Sequence, residues 1–217
     1  MKEYTIIFDF DGTLADSFPL MVAVFNKMAS KYHYAEVSDE AVAILRGRSA
    51  REVIAGLQIP KMKLPFIYRE GRKLFQKEID SIKPFPGITE MLTMLHKEYA
   101  LGIVTSNATP TVKSFIEKYH LEVFDFIYSE KNIFGKGKVL RNVLKTYALP
   151  SQKVVYVGDE VRDIDAARSS GIATISVTWG FNNEEILKKQ QPAALIHHPK
   201  ELPSTVSKVF ALSNGKG

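Results

Sequence analysis

The stretch Tyr4-Thr-Ile-Ile-Phe-Asp9-Phe-Asp11-Gly12-Thr13-Leu14 constrains this chain more than any other. Tyr4 to Phe8 is a run of β-branched and aromatic residues without polar alternation. Such a run predicts a strand buried on both faces, as in a parallel sheet covered by helices. Two carboxylates on alternate residues follow at its C-terminal end. On a regular strand they point to opposite faces. A kink at Asp11–Gly12 would bring both to one crevice, and glycine makes such a kink inexpensive. Ligands of open α/β sheets bind at the carboxyl ends of the strands, so these acids lie where chemistry is expected. Taken alone, the same pair could simply form a turn.

The remaining chain alternates strand and helix, with one interruption. Expected strands end at Asn107, Tyr128, Asp159, Val177 and His197, separated by segments of helical periodicity. Between the first strand and the second, residues 15–83 read as four helices with no strand. Pro19 opens the first helix, Ser38 caps the second, Ser49-Ala-Arg-Glu52 has capping-box spacing, and Pro65 opens the fourth. Four successive helices are too many for one crossover. The expected organisation is an α/β core from residues 1–14 and 84–217, with an inserted helical domain at 15–83. Lys83-Pro-Phe-Pro86-Gly is a rigid return to the core and a candidate hinge.

Composition narrows the class. A chain of 217 residues with 45% hydrophobic content can hold a core and a smaller insert. No apolar run approaches the roughly 20 residues of a membrane span, and the first residues lead into a strand without a secretory pattern. Zero cysteines exclude a disulfide framework, a thiol nucleophile and a thiolate metal site. The expected compartment is the cytoplasm. A net charge of +5 raises the question of nucleic acid. However, residues 15–83 carry 12 Lys and Arg against 8 Asp and Glu, and the remainder 17 against 16, with no basic run. That excess suits either a basic lid over an anionic substrate or an ordinary solvated surface. Neither nucleic acid nor a membrane is expected as a partner.

Three strand ends carry groups suited to one reaction. Thr105-Ser106-Asn107 closes one strand with small polar donors, which by themselves would pass for a turn. Gly158-Asp159-Glu160-Val-Arg-Asp163 closes another. Asp159 and Asp163, four apart across a strand-to-helix turn, can face one side, although Asp159 and Glu160 could equally cap a helix and complement its dipole. Oxygen-rich ligands of this kind suit a hard divalent cation with waters completing its shell. Gly135-Lys136-Gly137-Lys138 offers a cation, and without one the clustered acids would have raised pKa values.

In this order, Asp9-Phe-Asp11-Gly12-Thr13, the Thr105-Ser106-Asn107 strand end and Gly158-Asp159…Asp163 resemble the motifs of the haloacid dehalogenase-like hydrolases, most of which are phosphatases. The resemblance spans nearly the whole chain and implies a Rossmann-like core with a helical cap. It implies that Asp9 is a nucleophile forming an aspartyl-phosphate, and that Asp11 is the general acid and base. It implies Mg²⁺ held directly by Asp9, Asp159 and the backbone carbonyl of Asp11, with Asp163 either a direct ligand or one step removed. It places Ser106, with Gly12, Thr13 and Asn107, against the phosphoryl group, and assigns the site lysine to Lys136 with Lys138 in reserve. Relatives often carry Lys-Pro where this chain has Lys136-Gly137. The loop Leu45-Arg46-Gly47-Arg48-Ser49 would lie over the site, with Arg46 and Arg48 able to grip a carboxylate or second phosphate.

The expected activity is Mg²⁺-dependent hydrolysis of a small phosphomonoester such as 2-phosphoglycolate, by a monomer or homodimer. Val177-Thr-Trp179-Gly-Phe181 resembles the tail of phosphoglycolate phosphatase-like members. A sugar phosphomutase of the same family is the alternative, but such relatives carry a His where this chain has Met21. A dehalogenase would lack Asp11. An inert phosphate-binding module would have no reason to keep the full set of acids.

Overall fold

A computed structural model describes residues 2–57, 59–130 and 135–215. Its centre is a six-stranded parallel sheet in the order β3-β2-β1-β4-β5-β6. The strands are β1 (Thr5–Phe8), β2 (Ala100–Thr105), β3 (Phe126–Ser129), β4 (Val154–Gly158), β5 (Ala173–Val177) and β6 (Ala194–Ile196). The chain steps outward from β1 to β3 and then returns to the other side of β1 with β4. The strand order therefore reverses between β1 and β4, the position at which sheets of this kind open a crevice. This is the α/β, Rossmann-like core expected from the sequence.

The apolar run of β1 divides its side chains between two layers, as a period of two requires. Ile6 and Phe8 enter a cluster with Leu92 and Leu95 of α5 (Ile88–His96), Val112 and Phe115 of α6 (Thr109–Lys118), and Val206 and Phe210 of α10 (Leu202–Asn214). Ile7, between them, enters the opposite cluster with Leu140 and Val143 of α7 (Lys136–Thr146) and Ala166 and Ala167 of α8 (Val161–Ser169). Full burial on both faces explains why β1 shows no polar alternation. A ninth helix, α9 (Glu184–Lys189), buries Leu187.

Between β1 and α5 the chain inserts four α-helices: α1 (Phe18–Tyr32), α2 (Asp39–Arg46), α3 (Ala50–Gly56) and α4 (Leu64–Glu78). Ser38 caps α2 through Ala41 N–H, and the Ser49–Glu52 capping box forms as the spacing predicts. Val24 and Met28 of α1 pack with Ile67 of α4 in a small separate cluster. The two chain segments leading in and out run side by side: Asp16 N–H donates to Lys83 O at 2.9 Å, and Phe85 N–H to Leu14 O at 3.2 Å. Among the described residues, no helix is long and apolar enough to cross a membrane.

Gly102 of β2 lies opposite Phe126 of β3, and the Phe126 ring fills the space a Cβ would take. The sheet tolerates no side chain there without moving this half-buried aromatic ring. Gly102→Ala is expected to lower stability by about 2 kcal/mol, the usual scale of overpacking. Thermal melting checks this, with a fall in Tm of roughly 4–8 °C for a chain of this length; an unchanged Tm would mean that Phe126 repacks freely.

Candidate active site

The turn after β1 builds the first half of the site. Leu14 and Ala15 N–H both donate to Phe10 O at 3.0 Å, which curls the chain directly after the strand. Gly12 takes φ +74°, and its missing Cβ leaves room for the Asp159 carboxylate. This kink is what brings Asp9 and Asp11 to one cleft. The cleft is also lined by Ser106 after β2, Glu130 after β3, Lys136 at the start of α7, and Arg162 in the first turn of α8.

Each carboxylate is held by named donors. Asp9 is buried, and its Oδ1 accepts from Phe10 N–H at 2.8 Å while Oδ2 faces Lys136 Nζ at 2.6 Å. Lys136 also pairs with Asp163 Oδ1 and lies 5.3 Å over the Tyr156 ring. Asp163 Oδ2 accepts from Glu160 N–H at 3.0 Å. Asp159, fully buried, accepts from Thr13 Oγ1 at 2.7 Å and from Phe181 N–H at 2.7 Å. Asp11 Oδ2 accepts from Asn107 Nδ2 at 2.6 Å. Among the described residues its Oδ1 is enclosed without a hydrogen-bond partner.

Several expected residues therefore meet, though not always in the expected role. Lys136 is the lysine among the carboxylates, and Lys138 is exposed. Thr13 and Asn107, expected against phosphate, have their side chains turned onto Asp159 and Asp11. Arg46 lies at the edge of the site with its NH2 donating to Gly180 O at 2.6 Å, and its guanidinium 6.0 Å over the Phe18 ring. Arg48 contributes its carbonyl to Asn182 Nδ2 at 2.8 Å. Sequence reasoning missed Arg162, Glu130 and Asn182. Asn182 directly follows Trp179-Gly-Phe181, but its role shows only once β5 lies beside β4.

Asp9, Asp159 and Asp163 each offer an oxygen, all within 4.8 Å of one another, and all three residues are buried. An all-carboxylate set fits a hard divalent cation of the Mg²⁺ kind. The electrostatics point the same way. Burial raises the pKa of Asp9, Asp159 and Glu160, with neighbouring acids adding to the effect at Asp9 and Asp159. Burial, then the Asp9 charge, pushes Asp11 up from 3.8 to about 6. Burial works against the charge on Lys136, but the adjacent Asp163 and Asp9 outweigh it and raise its pKa well above the usual value. Arg162, paired with Glu160, is likewise held charged.

These shifts carry a sign. A carboxyl whose folded pKa lies above its unfolded one keeps its proton in the native state, so stability falls as pH rises through that window. For Asp11 the window runs from about pH 4 to about 6, and its share is on the order of 2–3 kcal/mol. The chelator-treated protein is expected to melt lower at pH 7.5 than at pH 5. A divalent cation should restore Tm at pH 7.5 more than at pH 5, because it favours the ionised ligands. Melting curves at both pH values with chelator and with Mg²⁺ decide this, and a metal-free Tm that rises with pH would count against the assignment.

Known proteins share this chain's family and fold. Residues 6–177 match the family model of the haloacid dehalogenase-like hydrolases. A phosphoglycolate phosphatase from Synechococcus elongatus is 33% identical over 209 residues, covering 94% of this chain and 98% of its own. An N-acetylmuramic acid 6-phosphate phosphatase from Pseudomonas aeruginosa is 25% identical, covering 93% and 94%. A solved haloacid dehalogenase-like hydrolase from Streptococcus pneumoniae superposes with a TM-score of 0.80 at 26% identity, over 93% of this chain and 97% of that one. With its fold, its strand-end acids and these likenesses in agreement, this chain belongs to the haloacid dehalogenase-like hydrolases.

Proposed function

We propose that this protein is a Mg²⁺-dependent phosphatase that hydrolyses a small phosphomonoester, 2-phosphoglycolate or an ester of similar size, through an aspartyl-phosphate on Asp9. The observation that carries this reading is the convergence of Asp9, Asp11, Ser106 and Lys136 in one cleft, beside a buried carboxylate trio. Asp9 supplies the attacking oxygen. Lys136 lies against its Oδ2 and offers positive charge where the phosphoryl oxygens would arrive. Ser106 lines the same cleft, and its hydroxyl would provide a neutral donor. Asp11, with its pKa raised to about 6, holds a proton that can pass to the leaving alkoxide, and Asn107 fixes its carboxyl. Once ionised, Asp11 accepts a proton from the water that attacks the aspartyl-phosphate.

Asp9, Asp159, Asp163 and the Asp11 carbonyl would hold Mg²⁺, which when bound offsets the repulsion between Asp9 and a phosphate dianion. Thr13 and Phe181 N–H fix the orientation of Asp159. In this reading residues 1–14 and 84–217 form the catalytic domain and 15–83 a cap that selects the ester. Arg46 and Arg48 supply the cap's positive charge at the seam. A substrate carboxylate reaching Arg46 must compete with Gly180 O. The name of the Synechococcus relative supports 2-phosphoglycolate as the ester, and the Pseudomonas relative's name marks a bulkier ester as the competitor. The protein is assigned to the cytoplasm, as a monomer or homodimer.

Phosphate release across 2-phosphoglycolate, sugar phosphates and nucleotides, with Mg²⁺ and with chelator, tests this reading. Release should need Mg²⁺ and vanish in Asp9→Asn. Asp11→Asn should lower kcat by about 10²–10⁴, the usual worth of a positioned acid and base. Release that survives Asp9→Asn, or no release from any ester, would sink the proposal.

A further inference from the structure

The segment after β5 joins three parts of the molecule. Trp179 Nε1 donates to Thr13 O at 3.0 Å. Gly180 lies so close to Gly12 O and the Asp159 side chain that no Cβ fits. Phe181 N–H holds Asp159 Oδ2, and Asn182 N–H donates to Asp159 O at 3.3 Å. On its other side the same segment grips the 46–48 loop. Arg46 NH2 donates to Gly180 O, Asn183 N–H donates to Arg46 O at 2.8 Å, and the Phe18 ring meets Phe181 at 5.3 Å.

Asn182 sits at the centre of this seam and is fully buried. Its Oδ1 accepts from Val161 N–H at 2.9 Å, in the first turn of α8. Its Nδ2 donates to Arg46 O at 3.2 Å and to Arg48 O at 2.8 Å. The amide orientation follows from the partners: a backbone N–H requires the oxygen, and two carbonyls require the nitrogen. No other uncharged side chain presents one acceptor and two donors in this way except Gln, which is longer by a methylene. A buried amide with both N–H donors and its oxygen engaged leaves little freedom on either side of it.

We propose that Asn182 is a positioning residue that couples the seating of the 46–48 loop on the core to the alignment of Asp159. Lifting the loop removes both acceptors of Nδ2 and the Arg46–Gly180 bond, and so loosens the segment whose N–H groups hold Asp159. A cation bound by the carboxylates fixes Asp159 and thereby favours the seated loop. The seated loop favours the cation by the same factor, because coupling between two binding events is reciprocal. The inference rests on the phosphatase reading for the cation alone, and it requires no turnover.

Two readouts independent of activity test it on the full chain. Trp179 is the sole tryptophan and donates to Thr13, so its fluorescence can report a Mg²⁺ titration. Trypsin cleavage after Arg46, Arg48 and Arg51, followed by mass spectrometry, reports the loop. In the wild-type protein Mg²⁺ should slow cleavage there. Asn182→Ala should weaken Mg²⁺ binding by about tenfold, within the usual range of coupling, and abolish the protection. Arg46→Ala, which removes a seam contact but touches no carboxylate, should weaken Mg²⁺ binding in the same direction. It carries the test if Asn182→Ala does not fold. Mg²⁺ binding without protection of the loop, or wild-type Mg²⁺ affinity in Arg46→Ala, overturns the coupling. So does the lack of any fluorescence response and protection. Failure of the phosphatase reading would show separately, as intact coupling in a protein that releases no phosphate.

Discussion

Crowding of negative charge at the junction of β1 and β4 is the constraint that the rest of this molecule answers. Asp9, Asp159 and Asp163 lie within 4.8 Å of one another, buried. In water such a group would separate; in a packed crevice it cannot. Lys136 meets part of the repulsion by facing two of the three acids at once. The third, Asp159, has no cation paired with it among the described residues and relies on Thr13 and the N–H of Phe181. That division leaves Asp159 with the strongest unmet need for positive charge. The same crowding is what the proposed Mg²⁺ would relieve.

The parallel sheet makes this arrangement possible. Adjacent parallel strands end at the same side, so residues 150 apart in the chain become neighbours without any long loop reaching between them. Burial of β1 on both faces holds it rigid, and the sharp turn at Gly12 then sets the two acids of the first motif at fixed positions. Stability and chemistry share a few residues here. Gly12 is needed both for its positive φ and for the space it leaves to Asp159.

How much of this could be read beforehand follows from where each signal resides. The strand ends with Asp9, Asp11, Asp159 and Asp163 were legible because residue type, spacing and strand pattern coincide within a few positions. The choice between Lys136 and Lys138 was not, because both stand near a helix start whose first residue no local pattern sets; the helix begins at Lys136, and only that side chain reaches the acids. Thr13 and Asn107 were legible as site residues, but their partners depend on which strands are neighbours. Arg162 and Asn182 carried no local mark. Arg162 reads as an ordinary charge in a helical first turn, and Asn182 as a loop residue. Their roles exist only once β4, β5 and the 46–48 loop are brought together.

The place where the helical segment leaves and rejoins the core has a consequence of its own. The two connecting strands of chain touch, through the Asp16–Lys83 and Phe85–Leu14 hydrogen bonds. A segment whose ends already meet can be lengthened, shortened or exchanged without pulling any strand out of register. In the proposed reading, substrate choice and bond cleavage would thus be carried on separately replaceable lengths of one polypeptide. A graft of a foreign helical segment between residues 16 and 83 needs to reproduce only the grip on residues 180–183 to be compatible with the machinery beneath it.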